Sequence, residues 1–279
     1  MVRGKKIFIS YGSEGYYTSL SRIGDMAKET GLFDDVMLFT EKDLPQEITS
    51  HPLMGYKRGG GYWLWKPYVI LHALKQCEEH DIVIYSDAGN EVYSHREWNS
   101  WFKELEHRDA ILFRCGAVMR NWCRKGLLDY YSQQPYCMRF LPFIYQLQSG
   151  LALVKKSAMP LIQSWLETMV SFPKYVMDVA PSEMKNESKC FIESRHDQSV
   201  LTCVAYAFRN KLDISIKWQH SEYRDRNGQA VFNARISDMG RRSSMYGYES
   251  RLRSLLKRIV ITPYRELRTK FFIKINRFL

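Results

Sequence analysis

Residues 81 to 91 read DIVIYSDAGNE, and their IVIYS core is an apolar run too short for a helix and bounded by polar residues. Such a run is a strand buried on both faces, the kind found in an open sheet covered by helices. It stops at Asp87, Ala88 and Gly89, so a carboxylate stands at the carboxyl end of a buried strand. In an open α/β sheet that end is where ligands bind. The stretch ahead of it fits: Pro67 suits the first turn of a helix, Tyr68 to Gln76 continues it, and the polar loop CEEHD returns the chain to the strand.

The rest of the chain alternates in the same way. Lys6 to Ser10 reads as a first strand ending at Tyr11-Gly12, and Tyr17 to Thr30 as an amphipathic helix with Leu20, Ile23 and Ala27 on one face. Gly31 lies where a helix-ending glycine is expected, and Asp35 to Thr40 reads as a second strand, completing a βαβ unit. Glu97 to Leu105 reads as a helix, Ala110 to Phe113 and Gln146 to Val154 as strands, and Met159 to Val170 as a helix. Pro173 to Lys189 is a polar loop, after which Asp197 stands near the start of a helix whose apolar face includes Val200, Leu201 and Val204. An α/β fold follows, with one large unit of residues 1–240.

Residues 241–279 differ. They hold eleven Lys and Arg against Glu249 and Glu266, and so carry +9 of the chain's net +11. Leu252, Leu255, Leu256, Ile259 and Val260 form one helical stripe, and beyond Pro263 a second uses Leu267, Phe271, Ile275 and Phe278. A basic amphipathic helical segment of this kind lies flat on anionic lipid, each cation adding about 1 kcal/mol near the surface. Nucleic-acid phosphates would also attract the cations, yet would not need the apolar stripe. A helical pair packed on the main unit is the plain structural alternative. The expectation is docking on an anionic membrane surface and no nucleic-acid partner.

No CxxC pair occurs among the six cysteines, so free thiols are expected. MVRGKKIFIS lacks a signal peptide's apolar region, and no apolar stretch approaches the ~20 residues of a membrane span. The expected location is cytoplasmic, peripheral on the inner face of the cell membrane.

A carboxylate at a strand end that holds Mg²⁺ or Mn²⁺ against phosphate oxygens neutralises a diphosphate leaving group. Asp87 is placed for that task, with Ala88 and Gly89 letting a ligand approach; a strand-ending Asp-x-Gly turn is the plain alternative. In GGGYWLWKP, Lys66 is placed to contact phosphate, and Trp63 and Trp65 to stack on a base or sugar, or else WLW is simply buried. Gln148, Ser149 and Gly150 are expected on the acceptor side.

GYWLWKPYVILHAL, DIVIYSDAG, QSGLALVKK and RHDQSVL together resemble bacterial glycosyltransferases with the GT-A fold, of the type that builds surface polysaccharide or lipopolysaccharide. The resemblance spans roughly residues 5–240. It implies a Rossmann-like, mixed, mostly parallel sheet, a nucleotide-sugar donor, and a lipid-linked or oligosaccharide acceptor. It also implies that Tyr11 and Gly12 contact the nucleotide and that Asp87 is the first aspartate of a DxD motif binding metal and diphosphate. Gly89 stands where the second aspartate would be, so either a metal takes another ligand, Glu91, His196 or His220, or basic groups serve in place of the metal. Asp197-Gln198 is similar to a DQ pair that lines the donor sugar in retaining members, with Gln198 near the anomeric carbon. If configuration is inverted, Asp197 is the natural general base; a helix cap is the plain alternative for it. A nucleotidyltransferase of the same fold would carry a basic glycine-rich loop after the first strand, and ISYGSEGYY has the glycines without the cations. A non-catalytic nucleic-acid-binding protein using the basic tail is the rival from another class.

Overall fold

The computed structural model describes residues 4–134, 138–218, 228–241 and 256–275. Six strands form the central sheet: β1 (Lys6–Tyr11), β2 (Asp35–Phe39), β3 (Ile82–Ser86), β5 (Ala110–Val118), β6 (Tyr145–Lys155) and β7 (Ile214–Trp218). A short β4 (Glu91–Val92) pairs with β8 (Val231–Phe232), and β9 (Ile236–Ser237) with β10 (Gly240–Arg241). The order across the sheet is β2-β1-β3-β6-β5-β7. Five strands run the same way, and β6 runs against both its neighbours. This is the mixed, mostly parallel α/β sheet that the apolar strands imply.

Strand period two sorts the sheet residues onto two faces. Ile82 and Ile84 join one core with Phe8, Ile111, Phe113 and the helices Tyr17–Glu29 and Glu97–Leu105. Val83 and Tyr85 join the other with Ile7, Ile9, Leu112 and the helices Trp65–Lys75, Met159–Ser171 and His196–Phe208. Asp87 keeps the parity of Tyr85, which turns it toward the second face and its helices.

The helices and strands read from the sequence fall within a few residues of their places. Three features go beyond that reading. The fifth sheet strand runs on past Phe113 to Val118, its register broken by two irregularities. The segment after Pro173 is not open loop throughout, since Pro173–Val176 and Pro181–Asn186 make short helical turns. Residues Gly59 to Trp63 all have positive φ, making a left-handed turn that leads into the helix Trp65–Lys75.

Of residues 241–279, the described part holds a helix, Thr262–Ile275, lying on the main unit. Phe272 and Ile273 pack against the core and Phe272 stacks on Phe143 at 4.9 Å. Its other face leaves Tyr264, Leu267 and Phe271 exposed. Of the first expected stripe, Leu256, Ile259 and Val260 are exposed, while Leu252 and Leu255, like Phe278 of the second, lie outside the described residues. No helix of the described residues is long and apolar enough to cross a membrane.

Candidate active site

Asp87 follows β3, and its backbone N–H donates to Gly150 O at 3.1 Å. Lys66 comes from the start of the helix Trp65–Lys75, on the face toward which Asp87 turns. Its Nζ lies 3.0 Å from Asp87 Oδ1, 3.2 Å from Asp197 Oδ2 and 3.3 Å from Ser149 Oγ. Tyr85, two residues before Asp87 on the same strand face, donates its hydroxyl to Asp87 Oδ1 at 2.6 Å. The Lys66 and Asp197 side chains are 2% and 5% exposed, against 38% for Asp87, so one buried ammonium joins a buried and an open carboxylate. Asp197 Oδ2 meets that ammonium as an ion contact without hydrogen-bond alignment.

Burial pushes the Lys66 ammonium toward losing its proton, but the Asp197 and Asp87 carboxylates outweigh it and hold its pKa above the ordinary lysine value. Burial also raises Asp197 above the usual carboxylate range, with Lys66 opposing. Tyr85, buried beside Asp87, stays a phenol and therefore a donor.

Gln198 stands next to Asp197, and its orientation follows from a hydrogen-bond argument. Trp122 O can only accept, so Gln146 turns its Nε2 toward it at 3.0 Å, and that amide also meets Ser199 Oγ at 2.9 Å. Gln146 Oε1 is thereby directed at Gln198, whose Nε2 donates to it at 2.6 Å and approaches Cys115 Sγ at 3.6 Å. Gln198 Oε1 is the polar atom left for a ligand. Trp165 Nε1 holds the Asp197 carbonyl at 3.1 Å, which fixes the head of the helix.

Two glycines here answer to neighbours. A Cβ on Gly150 would lie 2.7 Å from Asp87 Oδ2, so a larger residue there would push that carboxylate from its present position. A Cβ on Gly89 would lie 3.1 Å from Ile236 O, and Ile236 N–H donates to Gly89 O at 3.0 Å. Backbone from β9 thus crowds the position where a second aspartate would stand.

Several expected contacts sit elsewhere. Lys66 is no solvent-facing phosphate ligand, because its ammonium is enclosed by the two aspartates. The Tyr11 ring is buried and stacked on Trp65 at 3.9 Å. Gly12 is buried, with Tyr16 and Leu20 packed against it. Trp63 is half-buried and stacks on His196 at 5.3 Å. Ala88 is buried, and its carbonyl accepts from Arg22 at 2.9 Å. Ser149 reaches Lys66, while Gln148 is half-buried on β6 beside Phe113.

The ligands named to complete a metal site do not gather at Asp87. Glu91 is buried in β4 and accepts from the Tyr93 hydroxyl at 2.9 Å. His196 is turned to Val176 O at 2.6 Å, and its burial lowers its pKa and keeps it neutral. His220 lies outside the described residues. Among the described residues no three metal-ligating side chains converge. What remains is Asp87 Oδ2 on a trio with net negative charge. That suits Mg²⁺ or Mn²⁺ brought on a diphosphate, since such ions are often held by one or two carboxylates plus substrate phosphates and water.

Tyr85, Gln146 and Ile236 border the site without a motif to mark them. Tyr85 was within reach of sequence reasoning through its parity with Asp87. The other two are joined to the site only by folding.

No family model matches the chain, and no curated protein matches its sequence. Solved structures do. A galactosyltransferase in complex with donor and acceptor sugar analogs is similar at 12% identity and a TM-score of 0.40, over 81% of this chain and 86% of that one. Mouse xyloside xylosyltransferase 1 is similar at 12% and 0.40, over 80% and 87%. So is 4-diphosphocytidyl-2C-methyl-D-erythritol synthase from Anaerococcus prevotii, at 12% and 0.40, over 80% and 92%. Likeness at this level assigns no chemistry to the chain.

Proposed function

We propose that the chain is a nucleotide-sugar-dependent glycosyltransferase, moving a hexose-type sugar to a lipid-linked or oligosaccharide acceptor in bacterial surface polysaccharide or lipopolysaccharide assembly. One observation carries the reading: Lys66 ties the open carboxylate after β3 to Asp197, beside which Gln198 presents its oxygen. Transfer needs a donor held at its diphosphate and an anomeric carbon held against an acceptor hydroxyl. Asp87 stands on the donor side. A divalent cation bound through its Oδ2 would neutralise charge on the leaving diphosphate as a Lewis acid.

In this reading Asp197 is assigned to the donor sugar's hydroxyls, Gln198 Oε1 to the anomeric centre and Ser149 to the acceptor side. If configuration is inverted, Asp197 takes the acceptor's proton, and its raised proton affinity suits that work. Nucleotidyl transfer on the same scaffold is less well supported, because residues 12–16 carry no cation. The exposed Tyr264, Leu267 and Phe271, on the strongly basic 241–279 segment, support residence on the anionic inner face of a membrane.

The test is a thermal-shift screen of UDP-, GDP-, CMP- and dTDP-sugars with and without Mn²⁺. One donor class is expected to raise the melting temperature, Mn²⁺ alone to leave it unchanged, and Asp87→Ala to remove the donor's effect. A donor that stabilises the variant as well as the parent refutes the site.

A further inference from the structure

Three arginines gather at the carboxyl rim of the sheet, with no ion pair to a carboxylate among the described residues. Arg114, on β5, is 7% exposed; its Nη2 donates to the Tyr206 hydroxyl at 3.1 Å, and its Nε has no hydrogen-bond partner. Its guanidinium lies 5.6 Å from the centre of the Trp218 ring. Arg265, from the helix Thr262–Ile275, lies 5.4 Å from that same ring and 5.3 Å from Tyr145. Arg268, nearly one turn on, lies 5.6 Å from Tyr145 and donates to its hydroxyl at 3.3 Å.

Aromatic faces attract guanidinium groups, but they do not cancel the charge. Three cations around two rings repel one another, and a buried donor without an acceptor is costly. An anion with several oxygens relieves both, and phosphate matches the forked donors of arginine.

The cluster also has a definite place relative to the transfer point. Arg114 precedes Cys115, and Tyr145 precedes Gln146, the two residues that meet Gln198. Tyr206 follows Gln198 on one helix, about 12 Å along its axis. Arg114 thus bonds the far part of the helix whose head carries Gln198, and the cations stand apart from the transfer point while sharing its strands and helix.

We propose that Arg114, Arg265 and Arg268 bind the phosphate of a phosphorylated acceptor, a glycan phosphate or a glycolipid phosphate. Calling the ligand an acceptor rests on the transferase reading; the anion site does not. The helix Thr262–Ile275 supplies two of the three cations, so the site is incomplete without it.

The experiment is calorimetric titration of the full chain with inorganic phosphate and with geranyl phosphate, repeated with UDP, GDP, CDP and dTDP as competitors. Saturable binding that nucleotides do not displace is expected. Arg265→Gln and Arg268→Gln should each weaken it about tenfold or more, the loss of a charge-assisted hydrogen bond. These two sit on an outer helix and keep the test decisive where Arg114→Gln does not fold. Tighter binding of geranyl phosphate than of inorganic phosphate identifies the lipid form; equal binding identifies a soluble glycan phosphate. Unchanged affinity in the two variants overturns the site, as does displacement by nucleotide. So does binding seen only on vesicles containing phosphatidylglycerol, which would assign the arginines to a bilayer surface. Arginine-dependent phosphate binding in a chain that no nucleotide sugar stabilises would sink the transferase reading and keep the anion site.

Discussion

Lys66 sits between Asp87 and Asp197 with almost none of its side chain in water, and the trio's stability depends on which members hold protons. A basic group whose pKa is raised on folding contributes stability below its unfolded pKa and loses it as pH climbs through the folded value. The Lys66 contribution is therefore intact at neutral pH and is lost only in strong alkali. Asp197 has the opposite sign: with its pKa raised by burial, the native state keeps a proton that the unfolded chain has released, so stability falls as pH rises through that range. Lys66→Met is expected to lose about 3–5 kcal/mol at neutral pH, the effect of leaving a buried charge unpaired. Part of the loss should return as pH is lowered toward the ordinary carboxylate range, where Asp197 takes up a proton. Urea unfolding at several pH values checks this, and a deficit independent of pH would rule out the charge argument. Asp87, Asp197 and Gln198 were legible as residues because strand ends and helix heads are local patterns. That Lys66 joins the aspartates, and does not reach out to phosphate, depends on a helix lying across the sheet.

The left-handed turn from Gly59 to Trp63 brings the helix Trp65–Lys75 in at the angle that delivers Lys66. L-residues resist this conformation by roughly 1–2 kcal/mol each, so three glycines leave only Tyr62 and Trp63 bearing the strain. Both contact His196, itself at φ +50, with ring centres 5.1 and 5.3 Å away. Non-glycine residues in sparsely populated conformations thus meet immediately before Asp197, as happens at functional sites. The nearest atoms a Cβ on Gly60 would meet are Ser13 Oγ at 3.1 Å, Trp65 Nε1 at 3.6 Å and Ser13 Cβ at 3.9 Å, and the tight one is a hydroxyl free to turn, so Gly60→Ala reports chiefly the backbone effect. It should lower unfolding free energy by roughly 1–2 kcal/mol in denaturant titration. Unchanged stability would mean the turn is not held in this form. The triple glycine was readable as a special backbone site, but not its hand, which composition leaves open.

At the scale of the molecule, the helix Thr262–Ile275 is two-faced. Phe272 and Ile273 join the core, while Leu267 is 68% and Phe271 57% exposed. Packing and docking, which the basic amphipathic pattern leaves as alternatives, are thus compatible within one helix. Leu267→Glu with Phe271→Glu is expected to leave the melting temperature within about a degree or two, since exposed substitutions change stability little. It should abolish binding to anionic vesicles in a flotation assay, and undiminished flotation would refute the docking role. The sequence alone determined the α/β class, most helices and strands, and the carboxylate at the end of β3, because these follow from the period of apolar residues and from turn chemistry between near neighbours. Only the tertiary structure decided that Lys66 bridges Asp87 to Asp197, that β9 backbone crowds Gly89, and that Arg114 shares an aromatic patch with Arg265 and Arg268. Those groups come from distant parts of the chain, and their meeting is set by the sheet order and by which helix covers which face.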